Sequence, residues 1–203
     1  QMVDERDGRP FSTEFAHSRF LVPHLAERMG IKAPWALFCD CDFLFRADVN
    51  ELFKLVDRDY AVMVVKHDYR PERGVKMDGV SQYRYARKNW SSLMLWNLDH
   101  AANRDLGTDD VNHRAGDFLH TFAWLDDSLI GALPEPWNWL NGHSDEEIEP
   151  KAVHFTEGGP WFKEYEDVAY ADEWRRARAA MFNPRPTVRL RMSEGISPVA
   201  ATA

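Results

Sequence analysis

Two carboxylates two positions apart, Asp40 and Asp42 in Phe38-Cys39-Asp40-Cys41-Asp42-Phe43, are the residues of this chain best suited to chemistry. At i and i+2 of an extended backbone both side chains leave the same face and converge on one point. Two like charges in an apolar setting repel each other and lose solvation unless a cation neutralises them. Hard carboxylate oxygens suit Mg²⁺ or Mn²⁺. His154 opens a second motif, His154-Phe155-Thr156-Glu157-Gly158-Gly159-Pro160-Trp161. An imidazole ending a late strand would complete an oxygen-rich metal shell, and Gly158 and Gly159 would let backbone N–H groups approach a phosphate. The third motif is the adjacent pair Asp126-Asp127, leading into Leu133-Pro134-Glu135-Pro136-Trp137-Asn138-Trp139. Each has a plainer reading when taken alone: a solvated Asp-rich turn, a histidine satisfied in the core, and a helix cap.

These groups can work together only if the elements carrying them converge. Trp35-Ala36-Leu37-Phe38-Cys39 is too short and too continuously apolar for a surface helix and predicts a buried strand that delivers its carboxyl end at Asp40. Asp48 and Glu51 are spaced as a capping box and predict a helix over 49–56. Further strands are expected over 60–65, 92–96 and 151–155, the last ending near His154. Helices are expected over 15–29, kinked or restarted at Pro23 and closed at Gly30, over 116–124, and over 164–182. Strands alternating with helices predict an α/β fold with a mostly parallel sheet, whose ligands sit at the carboxyl ends of the strands.

At 203 residues with 44% apolar content, the chain fits one domain, expected over 1–182 and followed by a flexible Pro/Arg-containing tail at 183–203. A formal net charge of −8 argues against nucleic acid or an anionic membrane as a bulk partner. The segment 66–89 departs from that balance with Lys66, Arg70, Arg73, Lys76, Arg84, Arg87 and Lys88, and reads as a long basic loop. The two cysteines, Cys39 and Cys41, lie two apart in an extended run, an unsuitable geometry for a disulfide, and fit a reducing compartment. No apolar run approaches the roughly 18 residues of a membrane span, and residues 1–10 lack a signal-peptide core, so a cytoplasmic protein is expected. Eight tryptophans are mostly core material, with one or two of Trp90, Trp137, Trp139 and Trp161 expected to touch ligand.

In their order along the chain, these motifs resemble the glycosyltransferase family 8 type of GT-A enzyme, particularly its bacterial members. The matching stretches are Ser12-Thr13-Glu14-Phe15 with Ser18-Arg19-Phe20, residues 36–53 around the Asp pair, Val65-Lys66-His67-Asp68-Tyr69, Asn89-Trp90-Ser91-Ser92-Leu93-Met94, Asp126-Asp127 with Trp137-Asn138, and 154–161. The resemblance implies a nucleotide-sugar donor, a UDP-hexose, with Mn²⁺ (or Mg²⁺) bridging its diphosphate. It implies a glycan, lipid or protein acceptor and retention of anomeric configuration. Asp40 and Asp42 fall on the family's D-x-D motif and His154 on its metal histidine, while Arg19 matches a helix arginine supporting the carboxylates. Asp126 matches a carboxylate that contacts the donor sugar, and Asp127 stands where many members carry Gln. Lys66, with one of Arg84, Arg87 and Lys88, is a clamp candidate over phosphate or an anionic acceptor. Gly159 replaces the lysine that usually precedes the Pro-Trp of the histidine motif, a place that backbone donors or Lys163 would fill.

The family's domain begins with a strand, loop and helix around the nucleotide base, and this sequence starts after that unit. An N-terminally incomplete sheet with an exposed edge is therefore expected, with self-association through that edge. Two further functions fit part of the pattern. A non-catalytic nucleotide- or glycan-binding form would keep the ligand site without turnover. A haloacid dehalogenase-like phosphatase would account for Asp40-x-Asp42 and Asp126-Asp127, but leaves 154–161 unexplained.

Overall fold

The structure, a computed structural model, describes residues 16–68, 86–104 and 106–182. The stretch 12–15, the basic-loop residues Arg70, Arg73, Lys76 and Arg84, and the tail at 183–203 lie outside the described residues.

Among the described residues, four strands form the main sheet: β1 (Trp35–Cys39), β3 (Val62–Val64), β4 (Leu93–Asn97) and β5 (Ile130–Ala132), in the order β1-β4-β3-β5. β1, β3 and β5 run in one direction and β4 runs against them, so β1/β4 and β3/β4 pair antiparallel and only β3/β5 pairs parallel. The sheet is thus mixed rather than mostly parallel. β4, which follows the long basic segment in the chain, is the strand that departs from the expected parallel order, pairing antiparallel with both neighbours.

A second sheet joins β2 (Phe43–Phe45), β7 (Ala152–His154) and β6 (Trp139–Leu140), with β2/β7 antiparallel and β6/β7 parallel. Sequence reading misses β2, β5 and β6 because two or three residues are too few to show a period.

Both faces of the main sheet are covered, which explains the continuous apolar runs. Val62, Val64, Met94 and Trp96 face a core built with Phe20, Leu119 and Phe122; Met63, Val65, Leu93 and Leu95 face the opposite one with Leu52 and Trp137. β1 is an edge strand among the described residues, and four of its five residues are only half-buried, whereas every residue of β4 is buried.

Among the described residues, five α-helices flank the sheets. A single turn at Ser18–Leu21 leads into α1 (Val22–Arg28), which starts with Pro23 in its first turn, where a missing N–H costs nothing. It ends at Gly30, whose φ of +66° suits a helix C-terminus. α2 covers only Asn50–Phe53; Asp48 Oδ1 accepts from Asn50 N at 2.9 Å, but Glu51 turns to Lys151 Nζ at 2.6 Å, so the capping box is half realised. α3 (Thr108–His113) and α4 (Gly116–His120) cover one face, and α5 (Ala171–Phe182) begins seven residues later than expected.

Candidate functional site

The Asp pair sits where the chain leaves one sheet and enters the other. Asp40 N donates to Ser92 O at 2.8 Å, extending the β1/β4 ladder past Cys39, and Phe155 N donates to Asp42 O at 3.0 Å, extending the β2/β7 ladder past Phe43. The three-residue link 40–42 is therefore fastened at both ends.

Antiparallel register sets Phe43 opposite His154, and the two rings stack with centroids 4.4 Å apart. His154 thereby arrives beside Asp42, with Nε2 3.5 Å from Asp42 Oδ2. One ligand atom from each of Asp40, Asp42 and His154 lies within 4.8 Å of the others. Two carboxylates and an imidazole make a donor set that fits a hard-to-borderline divalent cation such as Mn²⁺ or Mg²⁺.

Each member is held by a different element. Arg19, from the turn preceding α1, grips Asp40 through both terminal nitrogens at 2.9 Å, and the same guanidinium donates to Ala16 O at 2.8 Å and Ser91 O at 3.0 Å. Burial raises the Asp40 carboxyl above its ordinary range; Arg19 works against that rise and the negative Asp42 adds to it. A cation placed between the two carboxylates would reverse the balance.

Cys39 packs against the core that holds Leu93 and Leu95, where burial, with Asp40 and Asp42 adding, pushes its thiol up to about 11. Both cysteines are free thiols and Cys41 is exposed, in keeping with the geometry argued from sequence.

His154 is 3% exposed, and its Nδ1 lies 3.0 Å from Oδ1 of Asn138, itself fully buried. Asn138, Asn89 and Ser92 form a polar cluster behind the histidine, and sequence reasoning did not assign them roles. Its one available signal was an asparagine set between Trp137 and Trp139 in an otherwise aromatic run.

Asp126 and Asp127 are not members of this three-residue group. Both are exposed. Asp126 Oδ1 accepts from Ser128 N at 2.9 Å and Ser128 Oγ at 2.6 Å, capping the turn Asp127–Leu129, and these bonds lower its carboxyl below the ordinary range. Asp127 is gripped by Arg87, whose guanidinium also donates to Thr121 O at 2.6 Å.

Arg87 lies over the Trp90 ring at 5.2 Å, and Lys66 approaches the same ring at 5.8 Å. Trp90 Nε1 donates to His67 O at 2.9 Å. Segment 87–92 therefore connects the two groups: Arg87 reaches Asp127 at one end, and the Ser91 and Ser92 carbonyls hold Arg19 and Asp40 at the other.

Gly158 and Gly159 have a packing reason to be glycine. A Cβ at 158 would stand 2.5 Å from the Tyr165 ring, and one at 159 only 2.0 Å from Trp161. The Gly158 amide donates to Phe155 O at 3.1 Å, so it is engaged within the turn. Of the tryptophans, Trp137 and Trp139 are core residues at 2% and 4% exposure, while Trp161 is 40% exposed.

No protein-family model matches the chain. It is 50% identical over 172 residues to Protein CDI of Arabidopsis thaliana, an alignment that takes in 82% of this chain and spans 65% of that protein's length. Among solved structures it is similar to the glycosyltransferase GlyE of Streptococcus pneumoniae TIGR4, with a TM-score of 0.52 at 12% identity over 83% of this chain and 43% of that one. It is also similar to the galactosyltransferase LgtC in complex with donor and acceptor sugar analogs, with a TM-score of 0.51 at 12% identity over 85% of this chain and 70% of that one.

The chain has the GT-A glycosyltransferase fold. In this GT-A frame the haloacid dehalogenase-like reading of Asp40-x-Asp42 loses its structural basis. Among the described residues no helix is long and apolar enough to cross a membrane.

Proposed function

We propose that this chain is a metal-dependent glycosyltransferase of the family 8 type, moving a hexose from a nucleotide sugar, UDP-linked, to a glycan, lipid or protein acceptor with retention of configuration. The observation that carries the reading is the convergence of Asp40, Asp42 and His154, each within 4.8 Å of the others through one ligand atom, in a GT-A fold. These three residues would hold Mn²⁺ (or Mg²⁺). When bound, the ion supplies Lewis-acid neutralisation of the charge that develops on the departing nucleoside diphosphate.

The chain's own residues divide the remaining work. Arg19 fixes the Asp40 carboxylate so that it need not reorganise when donor arrives. Lys66 and Arg87, on the faces of Trp90, put positive charge on the segment beside the site and suit an anionic portion of donor or acceptor. The Gly158-Gly159 turn, four residues past His154, belongs to the diphosphate side of the reading, with Lys163 as its nearby cation. Asp126 and Asp127 are assigned to the donor sugar. Arg87 holds the Asp127 carboxylate in place beside Trp90.

Mass-spectrometric detection of UDP released from a panel of UDP-sugars, with and without Mn²⁺, tests this reading. Release that depends on Mn²⁺ and falls about a hundredfold or more in Asp42→Ala is expected, since the metal is worth several kcal/mol in such a step. Mn²⁺-dependent UDP binding without release from any donor would instead favour the non-catalytic form.

A further inference from the structure

The amide of Asn138 has a fixed orientation. Its Nδ2 lies 2.9 Å from Ser92 Oγ and 3.3 Å from Asn89 O. Asn89 O is a carbonyl and can only accept. Ser92 Oγ donates its own proton to the same Asn89 O at 2.6 Å, so toward Asn138 it too must accept. Only the NH₂ end of the amide satisfies both neighbours, which leaves Oδ1 facing His154 Nδ1 at 3.0 Å. An oxygen in that place demands a proton on Nδ1.

Neutral imidazole carries one N–H, and with that proton on Nδ1 the Nε2 lone pair is directed to the side where Asp42 Oδ2 stands 3.5 Å away. This is the tautomer a ligand through Nε2 requires. Asn138 is fully buried and its amide is engaged with Asn89, Ser92 and His154, so it acts through the histidine rather than on a cation.

We infer that Asn138 is a positioning residue that selects the Nδ1–H tautomer of His154 and aims Nε2 at the Asp40–Asp42 link. Its bearing on metal affinity rests on the metal reading above; the tautomer assignment does not. The cluster also ties three segments together: the turn before β4 through Asn89 and Ser92, the carboxyl end of β7 through His154, and, through the Ser92 carbonyl, the amide of Asp40. Outer partners that orient a ligating histidine typically change metal affinity by roughly 10–100-fold when removed.

The test uses the full chain labelled with ¹⁵N-histidine and long-range ¹H–¹⁵N correlation in the absence of metal, with His154→Gln to assign the resonance. The unmodified protein is expected to show His154 as Nδ1–H, and Asn138→Ala is expected to shift it toward Nε2–H. Mn²⁺ affinity, read by electron paramagnetic resonance of free ion, is expected to fall roughly 10–100-fold in the same variant. An Nε2–H signal in the unmodified protein overturns the inference, and that measurement needs no variant to fold. Equal Mn²⁺ affinity with and without the Asn138 amide also overturns it. A protein that shows the Nδ1–H signal but takes up no Mn²⁺ upholds the tautomer assignment and contradicts the metal reading.

Discussion

Arg19 and Asp40 meet fork to fork: both terminal guanidinium nitrogens reach the carboxylate, one oxygen each, at 2.9 Å. The Arg19 side chain is 11% exposed and Asp40 26%, so neither charge is well served by solvent. Breaking a buried pair typically costs roughly 3–5 kcal/mol, and the partial exposure of Asp40 reduces that here to about 2 kcal/mol. Arg19→Ala is expected to lower the urea midpoint accordingly. Arg19→Lys is expected to recover only part of the loss, because an ammonium restores charge without the planar fork. Full recovery with lysine would show that the fork geometry contributes nothing.

Asp127 offers a way to separate a structural from a catalytic role. Its side chain is 82% exposed although Arg87 grips it. Such exposed pairs contribute less than about 1 kcal/mol, so Asp127→Asn is expected to leave the melting temperature nearly unchanged. Turnover of the UDP-sugar identified by the panel is expected to drop by tenfold or more. A variant with full activity would remove Asp127 from the donor-sugar face.

Acid sensitivity follows from His67. Burial first, with the neighbouring His154 adding, pushes its imidazole down to about 4 from an ordinary 6.5. Below pH 6.5 the unfolded chain takes up a proton that the folded chain refuses until about pH 4. The His67 contribution is therefore complete above pH 6.5 and is lost as the pH falls to 4, by at most about 3 kcal/mol. His120, set between the His17 and Phe20 rings, is shifted down as well, by burial first, and adds to the same slope. Urea midpoints are expected to decline from pH 7 to pH 4.5, less steeply in His67→Gln. An identical slope in that variant would contradict the assignment.

The site was legible in the sequence wherever residue type and spacing carry the physics. The strand ending at Cys39 and the strand ending at His154 follow from apolar runs that need burial on both faces, whereas Asp40 and Asp42 were expected to converge through an extended backbone and instead lie at a turn, 41–42, between β1 and β2. Arg19 was reached only through family resemblance, since nothing local in Ser18-Arg19-Phe20 shows that its partner lies 21 positions away. The direction of β4 was not legible, because hydrophobic runs do not encode which way a strand points. Asn138 escaped for a related reason: its role lies in three contacts with residues 16 to 49 positions distant. Gly158 and Gly159 were read for phosphate access, yet the packing of Tyr165 and Trp161 already demands glycine at both places.

Mn²⁺ titration of the full chain, followed by the loss of free-ion paramagnetic signal, tests most directly whether Asp40, Asp42 and His154 form a metal centre. The account predicts saturable uptake of one ion per chain, abolished in Asp42→Ala and in His154→Ala while both variants keep a cooperative unfolding transition. Uptake that is absent in the unmodified chain, or that survives both substitutions, would contradict it.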